Sequence, residues 1–316
     1  MEREKIFSLC DVTVSNLERI ANEEAALSEL RLFELSDVVT GVRPLLEELR
    51  SSGLGVYELL SCLGEVAFPK KTGGLDGVMP SFANLLSALA VRSHEGERAS
   101  FSRLLGEELS LLGVGEADFL PAEPRDDGFT YVKNTFADEA YDVISQDFSD
   151  PRVRYSRDFG ECARLVSSGE MAYSLLPFEE KGGTRLNTVS ELIWRHDLKV
   201  NSVTPVFGPD GTADLKYALV SRSFTVPLLS AGDDRYLEIR VSQQSRTDIS
   251  ELLGVAAMLG HTVYRVNTET FRDEGEDAGF FSVVIRDEGL SFTSLLTYLT
   301  LFVTEYYPVG IYKNLE

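Results

Sequence analysis

A short stretch between a predicted strand and a predicted helix gathers side chains that could do chemistry. It runs from Glu179 to Asn187 and holds two adjacent carboxylates, an ammonium, a guanidinium and an amide. A carboxylate such as Glu179 can act as a general acid or base. Lys181 and Arg185 could bind an anion at the N-terminus of the following helix. The alternatives are that Glu179 caps this helix, which is expected to start near Thr184, and that Lys181 and Arg185 are solvated surface residues.

The overall charge restricts the partners of such a site. The chain has 316 residues and a formal net charge of -21. This balance argues against nucleic acid and anionic membranes as partners, because both require a basic face. An anionic ligand would need a local pocket of Arg, Lys and backbone N–H groups. No apolar run approaches the ~20 residues that span a bilayer, and the charged start does not resemble a signal peptide. We therefore expect a cytoplasmic protein.

Metal and thiol chemistry are not indicated by the pattern. Cys10, Cys62 and Cys162 are scattered without a CxxC spacing, which is typical of buried thiols in a cytoplasmic protein. The three histidines lie far apart and show no metal-ligand spacing. We expect no metal and no cofactor.

The elements that must position the charged stretch change in kind along the chain. Residues 1–120 have helical spacing of apolar residues, with helices predicted at Met79–Val91 and Phe101–Leu112. Prolines and acidic residues after Pro121 predict a linker. Residues 121–232 alternate strands and helices, which indicates an α/β layer. The strands are predicted at Phe129–Lys133, Val153–Tyr155, Ala172–Leu176, Lys199–Phe207 and Leu215–Ser223, and the helices at Ala137–Phe148, Phe159–Ser167 and Asn187–His196.

The tail, residues 233–316, predicts a third unit. Its order is strand, helix, two strands, helix and strand, which is the ferredoxin-like βαββαβ order. We predict the strands at Tyr236–Val241, Val263–Thr268, Phe280–Arg286 and Val309–Tyr312, and the helices at Ile249–Leu259 and Phe292–Val303.

The stretch from Phe159 to Val200 resembles part of the prephenate dehydratases. In that family a helix ends in Ser/Thr-Gly, a strand follows, and a Pro-hydrophobic-Glu-Asn motif closes the strand. The matching positions here are Gly169, Tyr173, Pro177, Glu179, Asn187 and Leu192. The family also carries an ACT domain, a ferredoxin-like module, after its catalytic domain. The resemblance thus implies an α+β multidomain protein: a helical domain, an α/β lobe like half of a prephenate dehydratase (periplasmic-binding-protein-like), and an ACT domain.

The resemblance implies a lyase of L-phenylalanine biosynthesis that converts prephenate to phenylpyruvate. It places Glu179 and Arg222 in catalysis, and Lys181, Arg185 and Asn187 in binding a small dicarboxylate. It also implies a homodimer that forms through the ACT-like domain.

Several departures from the family predict an impaired or inactive enzyme. A glycine-rich loop is expected after the first strand, but Asn134-Thr135-Phe136 stands there. Glu180-Lys181 replaces Asn-Ser/Thr, and the Thr-Arg-Phe strand is missing, with Ser221-Arg222-Ser223-Phe224 the candidate that keeps an arginine. Too few residues precede the tail to build the family's second lobe. The alternative function is a non-catalytic, ACT-containing regulatory or scaffold protein that binds a small ligand or a partner enzyme.

The N-terminal part offers a second, shorter resemblance. Residues Gly73–Val78, before the predicted apolar helix, are similar to the last helix of chorismate mutase. The arginine and lysine set of that enzyme cannot be placed on Arg19, Arg31, Arg43, Arg50 or Lys70-Lys71. A plain helical packing domain is the alternative.

Overall fold

The computed structural model describes residues 2–65, 95–120, 128–208, 211, 213–225, 234–245, 248–273, 276–303 and 305–313. Over these ranges the protein is a mixed α+β molecule with two sheets. Some sequence predictions lie outside the described residues: the helix at Met79–Val91, the chorismate-mutase-like run at Gly73–Val78, and the linker after Pro121. Among the described residues, no helix is both long and apolar enough to cross a bilayer.

The N-terminal part is helical, as its apolar spacing predicts. The break after α1 coincides with Gly53, whose φ of 78° suits the left-handed residue that follows many helices. The helices are α1 (Glu2–Ser51), α2 (Val56–Glu65), α3 (Glu95–Leu111) and the single turn α4 (Glu116–Phe119).

The α/β lobe is built on one sheet with strand order β2-β1-β3-β6-β5. The three strands β1, β2 and β3 are parallel, whereas β6 is antiparallel to both β3 and β5. The elements are β1 (Gly128–Val132), α5 (Thr135–Ile144), β2 (Arg152–Ser156), α6 (Phe159–Ser167), β3 (Tyr173–Glu180), β4 (Thr184–Arg185), α7 (Asn187–Arg195), β5 (Lys199–Phe207) and β6 (Ala213–Ser221).

Side chains cap the first two helices of the lobe. The Asn134 carboxamide accepts the N–H of Ala137 at 2.9 Å, and the Asp158 carboxylate accepts the N–H of Glu161 at 2.7 Å. These bonds satisfy donors that a helix leaves free in its first turn. Asn134, where a glycine-rich loop was expected, thus serves as a helix cap.

The C-terminal unit has the predicted βαββαβ order. Its antiparallel sheet has strand order β10-β7-β9-β8, which is the ferredoxin-like arrangement. The elements are β7 (Arg235–Ser242), α8 (Ile249–Met258), β8 (Thr262–Asp273), β9 (Glu276–Arg286), α9 (Thr293–Phe302) and β10 (Tyr306–Lys313).

One sequence expectation near the charged stretch was wrong. The strand was expected to end by Leu176, and the capping alternative for Glu179 required a helix that starts near Thr184; the helix predicted from Asn187 is present as α7. Instead β3 continues through Glu180, and Thr184–Arg185 forms the short strand β4 antiparallel to it. Gly182 and Gly183 make this reversal possible, because both have φ near 90° (90° and 87°). Glu179 therefore cannot cap a helix from a loop, since it lies inside a strand.

The ferredoxin-like sheet has both faces covered. Leu237 and Ile239 of β7 belong to one hydrophobic core with the helices α8 and α9 and with N-terminal residues such as Leu46 and Leu105. A buried ion pair strengthens this contact, with Arg235 2.7 Å from Glu116 of α4. The N-terminal helices and the C-terminal unit thus share a core.

The other face of the same sheet packs against the α/β lobe. Gly310 of β10 lies so close to β5 that a Cβ atom there would overlap the carbonyl oxygen of Val200. Glu238 and Arg240, which alternate with the apolar residues of β7, are buried against the lobe at 2% and 3% exposure. This contact brings the charged stretch of the lobe onto the C-terminal sheet.

Candidate functional site

Glu179, the residue expected to do acid–base chemistry, lies at the contact between the two sheets. It is buried at 6% exposure near the end of β3. Arg265 of β8 donates to its Oε2 at 2.7 Å, and the Lys216 Nζ lies 3.7 Å from its Oε1. Arg265 also donates to the carbonyl of Gly183. Arg265 of the C-terminal unit therefore binds both the Glu179 carboxylate and the turn that follows its strand.

Arg185 forms the second half of this contact. Its Nη2 donates to Glu238 of β7 at 2.6 Å and to the hydroxyl of Tyr312 of β10 at 3.1 Å. The Tyr312 hydroxyl in turn donates to Glu238 at 2.7 Å. The guanidinium carbon stands 3.4 Å from the centre of the Phe178 ring, a cation–π contact. Arg185 is thus a buried bridge between sheets, and the solvated-surface alternative for it is wrong.

The protonation states follow from these neighbours. Burial would raise the pKa of the Glu179 carboxyl, but Arg185, Arg265 and Lys216 hold this pKa below its ordinary value. Burial raises the pKa of the Tyr312 hydroxyl far above its usual range, and the Glu238 carboxylate adds to this. Glu179 is therefore an ionised acceptor at neutral pH, which makes it a poor general acid.

The space beside Glu179 is small. A cavity of about 30 Å³ lies between the sheets, lined by Phe178, Glu179, Val203, Lys216, Tyr236, Tyr264, Arg265, Val284 and Tyr312. Small-molecule sites commonly measure roughly 300–1,000 Å³. This cavity has no room for a dicarboxylate.

The other predicted site residues do not converge on Glu179. Arg222 is exposed and its guanidinium lies beside Gly169, at the end of the lobe where β3 begins. Glu179 lies at the far end of that strand, roughly 20 Å away at ~3.3 Å per residue. Lys181 and Asn187 are exposed, the first in the turn before β4 and the second at the start of α7. The structure brings Glu179 and Arg185 together and leaves Arg222 apart.

A second cluster extends the same contact toward α7. Arg240 of β7 pairs with Glu269 of β8 at 2.8 Å and also donates to the carbonyl of Ser190 at 3.4 Å. The Trp194 ring stacks on Phe271 with 6.0 Å between centroids and 16° between planes. The C-terminal sheet thus contacts α7 through charged and aromatic side chains, as well as the turn after Glu179.

Arg265, Glu238, Tyr312 and Lys216 are the partners that the sequence did not reveal. Alternating polar residues along β7 are normally the solvated face of an amphipathic strand. A signal was nevertheless present: Tyr236, Glu238 and Arg240 alternate on that face, and arginine in particular suits buried, paired contacts.

The rest of the described chain contains a groove of ligand size but no metal cluster. Within the ranges that the structure describes, no group of three or more His, Cys, Asp or Glu residues is placed to hold a metal ion. A larger groove of about 780 Å³ lies between α1, α3 and α8, with Leu27, Leu35, Arg103 and Met258 among its lining residues. It contains none of the predicted site residues.

Comparisons with known proteins give partial structural likenesses. No family model matches the chain, and no curated protein matches its sequence. A prephenate dehydratase from Streptococcus mutans is similar over 60% of this chain and 98% of its own, with 11% identity and a TM-score of 0.46. The prephenate dehydratase from Arthrobacter aurescens in complex with L-Phe is similar over 58% of this chain and 89% of its own, with 12% identity and a TM-score of 0.43. The quorum quenching acylase GqqA is similar over 59% of this chain and 94% of its own, with 19% identity and a TM-score of 0.43. Likenesses of this size carry no argument about activity.

Proposed function

We propose that this protein is a prephenate-dehydratase-like protein without dehydratase activity, and that it acts as a regulatory or scaffold protein with an ACT-like C-terminal unit. The observation that carries the proposal is the ion pair of Glu179 with Arg265, 2.7 Å apart at the contact between the two sheets. A catalytic carboxylate must face a space that holds the substrate. Here the space measures about 30 Å³ and the carboxylate already has its cationic partners.

The chain length between β6 and β7 supports the same proposal. Residues 222–234 separate Ser221 from Arg235. Adding one parallel strand to a sheet takes a crossover of a dozen or more residues, so this segment is too short for a second α/β lobe. The oriented donors that such a lobe would supply are each worth about 10²–10³ in rate.

The test is an assay of the purified full-length chain with prephenate, and separately with chorismate. We expect phenylpyruvate to form only at the uncatalysed rate, and Glu179→Gln to leave that rate unchanged. An enzyme-like rate that disappears in Glu179→Gln would show that the carboxylate is catalytic and overturn the proposal.

We further propose a homodimer that forms through the C-terminal unit. β8 is an edge strand of its sheet, and Tyr264 and Val266 on it are exposed at 52% and 39%. An unpaired edge can pair with a second copy of itself. Light scattering at micromolar concentration should give twice the mass of the chain, and Val266→Lys should lower it. A monomeric mass for the wild-type protein contradicts this arrangement.

A further inference from the structure

The groove between α1, α3 and α8 is a place where the shared hydrophobic core reaches solvent. Its volume of about 780 Å³ lies within the roughly 300–1,000 Å³ of small-molecule sites. Leu35, Ala99 and Leu259 line it, are themselves buried, and belong to the core that the N-terminal helices share with the C-terminal unit. A molecule in the groove would therefore extend that core.

Apolar side chains also form the sides of the groove. Leu27, Leu32 and Met258 line it and are exposed at 52%, 37% and 51%. Single exposed apolar side chains are ordinary, but several around one depression mark a binding surface. The described residues that line the groove include no aromatic ring, so a flat aromatic ligand would find no stacking partner there. Leucine and the flexible methionine suit an aliphatic chain instead.

The charged groups of the lining are two guanidinium groups and one carboxylate. Arg31 pairs with Glu97 at 2.5 Å, which leaves Arg103 as the unneutralised charge of the lining. The groove is thus locally positive on a chain with a net charge of -21. Because Arg103 is exposed, it gives a preference for an anion rather than a strong anchor.

The two ends of the groove differ in charge. A Cβ atom on Gly96 would lie 3.9 Å from the Met258 sulfur, so Met258 marks one end. Arg103 lies about 10 Å further along α3, at 1.5 Å per residue. The Met258 end also contains Glu97 and the last turn of α8, whose free carbonyl groups carry partial negative charge. A ligand carboxylate therefore belongs at the Arg103 end, with its apolar part toward Met258.

We propose that this groove binds an aliphatic monocarboxylate, a molecule of the fatty-acid class. The carboxylate lies at Arg103, and the alkyl chain covers Leu35 and Leu259. The bound chain contacts α1 and α3 of the N-terminal part and the end of α8, so it stabilises the packing of the N-terminal helices on the C-terminal unit. This inference goes beyond the proposed function, because it concerns another part of the molecule and holds whether or not the chain has dehydratase activity.

The first experiment is calorimetric titration of the full-length protein with decanoate and, separately, with decyltrimethylammonium. The two probes have the same chain length and opposite head-group charge. We expect decanoate to saturate one site per chain with a Kd below about 1 mM, and the ammonium to bind several-fold more weakly. The net charge of -21 acts in the opposite direction and favours the cation. Equal or tighter binding of the ammonium, or no saturable binding of decanoate, overturns the proposal.

Variants at exposed positions make the test specific. Leu27→Glu should weaken decanoate binding about tenfold, because the alkyl chain would pack against a charged group. The matched control is Leu30→Glu on the same helix, since Leu30 is exposed at 54% and does not line the groove; its Kd should equal that of the wild-type protein. Arg103→Met should weaken decanoate about two- to fivefold and remove the preference over the ammonium. Wild-type affinity in Leu27→Glu would show that the ligand binds elsewhere and that the proposal is wrong.

The methyl groups of methionine report the position of the ligand. The chain has four methionines, and Met258→Leu assigns the resonance of the Met258 methyl group in a ¹³C-methyl-methionine spectrum. Decanoate should shift this resonance and leave that of Met171, which packs in the α/β lobe, unchanged. An unshifted Met258 resonance in a sample that binds decanoate by calorimetry overturns the assignment. Neither result depends on the phenylpyruvate assay.

Discussion

Arg265 of β8 donates to Glu179 of β3 at 2.7 Å, across the contact between the two sheets. The carboxylate near the end of the lobe's central strand is therefore neutralised by the edge strand of the other unit. Arg185 and Glu238, 2.6 Å apart, repeat the relationship in the opposite sense, with the cation on the lobe. Two crossed ion pairs fix the register of one sheet on the other.

Loss of Arg185 should destabilise the protein strongly. Arg185→Ala would leave Glu238, exposed at 2%, as a buried charge without its cation. Removing one partner of a buried pair typically costs about 3–5 kcal/mol. Urea unfolding followed by circular dichroism measures the change in the free energy of unfolding.

The matched control for this variant is Arg195→Ala in α7. Arg195 is exposed and pairs with Glu191 one helical turn away, a contact worth about 0.3–0.5 kcal/mol. Similar losses in the two variants would contradict a structural role for the buried pair.

A methyl group at position 310 should also weaken the contact between the sheets. In Gly310→Ala the new Cβ meets the carbonyl of Val200, and a backbone atom cannot move aside as a side chain can. Overpacking of this kind costs about 1–3 kcal/mol. In the control Gly41→Ala, the new methyl on α1 has no neighbour within 4 Å among the residues that the structure describes, and helix propensity should add about 0.5–1 kcal/mol of stability. Urea unfolding should show a lower free energy of unfolding for Gly310→Ala and a higher one for Gly41→Ala. An unchanged free energy of unfolding in Gly310→Ala would contradict the close approach of β10 to β5.

His261 should make stability depend on pH in the mildly acidic range. Burial lowers the pKa of this imidazole below its ordinary 6.5, although Asp287 and Glu116 act in the opposite direction. Below pH 6.5 the unfolded chain therefore binds a proton at His261 more readily than the folded protein does. The free energy of unfolding should decrease as pH falls from 6.5 through the lower folded-state pKa.

The variant that checks this effect is His261→Phe. In the wild-type protein the centroids of the His261 and Phe292 rings are 4.8 Å apart, and the variant keeps a ring at this position. Unfolding free energies of both proteins are compared between about pH 5 and 7. The wild-type curve should fall more steeply than that of the variant. Parallel curves would exclude His261 as the source of the pH dependence.

The elements of this fold follow closely from local sequence patterns. Helix α6 and strand β5 have the predicted bounds, and the C-terminal unit has the predicted order. Period-two and helical spacings report which face of an element is apolar. They do not report what covers a polar face, and so the burial of Glu238 and Arg240 was not predictable.

The role of the Glu179 stretch was not predictable either, because it depends on which distant strand covers it. Its residue types indicated a site of charged groups, and in the structure Glu179 and Arg185 do form buried ion pairs. Its partners Arg265 and Glu238 come from strands far along the chain, and no local pattern links them to Glu179. The reversal at Gly182 and Gly183 was likewise indicated only by two adjacent glycines, which mark a turn but not its direction.

The position of Trp194 has a practical consequence. It is the chain's single tryptophan, and its indole packs against Phe271, Phe280 and Tyr307 of the C-terminal unit from its place on α7 of the lobe. Intrinsic emission excited at the indole band therefore comes from the contact between the two units alone. Separation of the lobe from the sheet would expose the indole to water and shift its emission to longer wavelength, without any label, while both units remained folded.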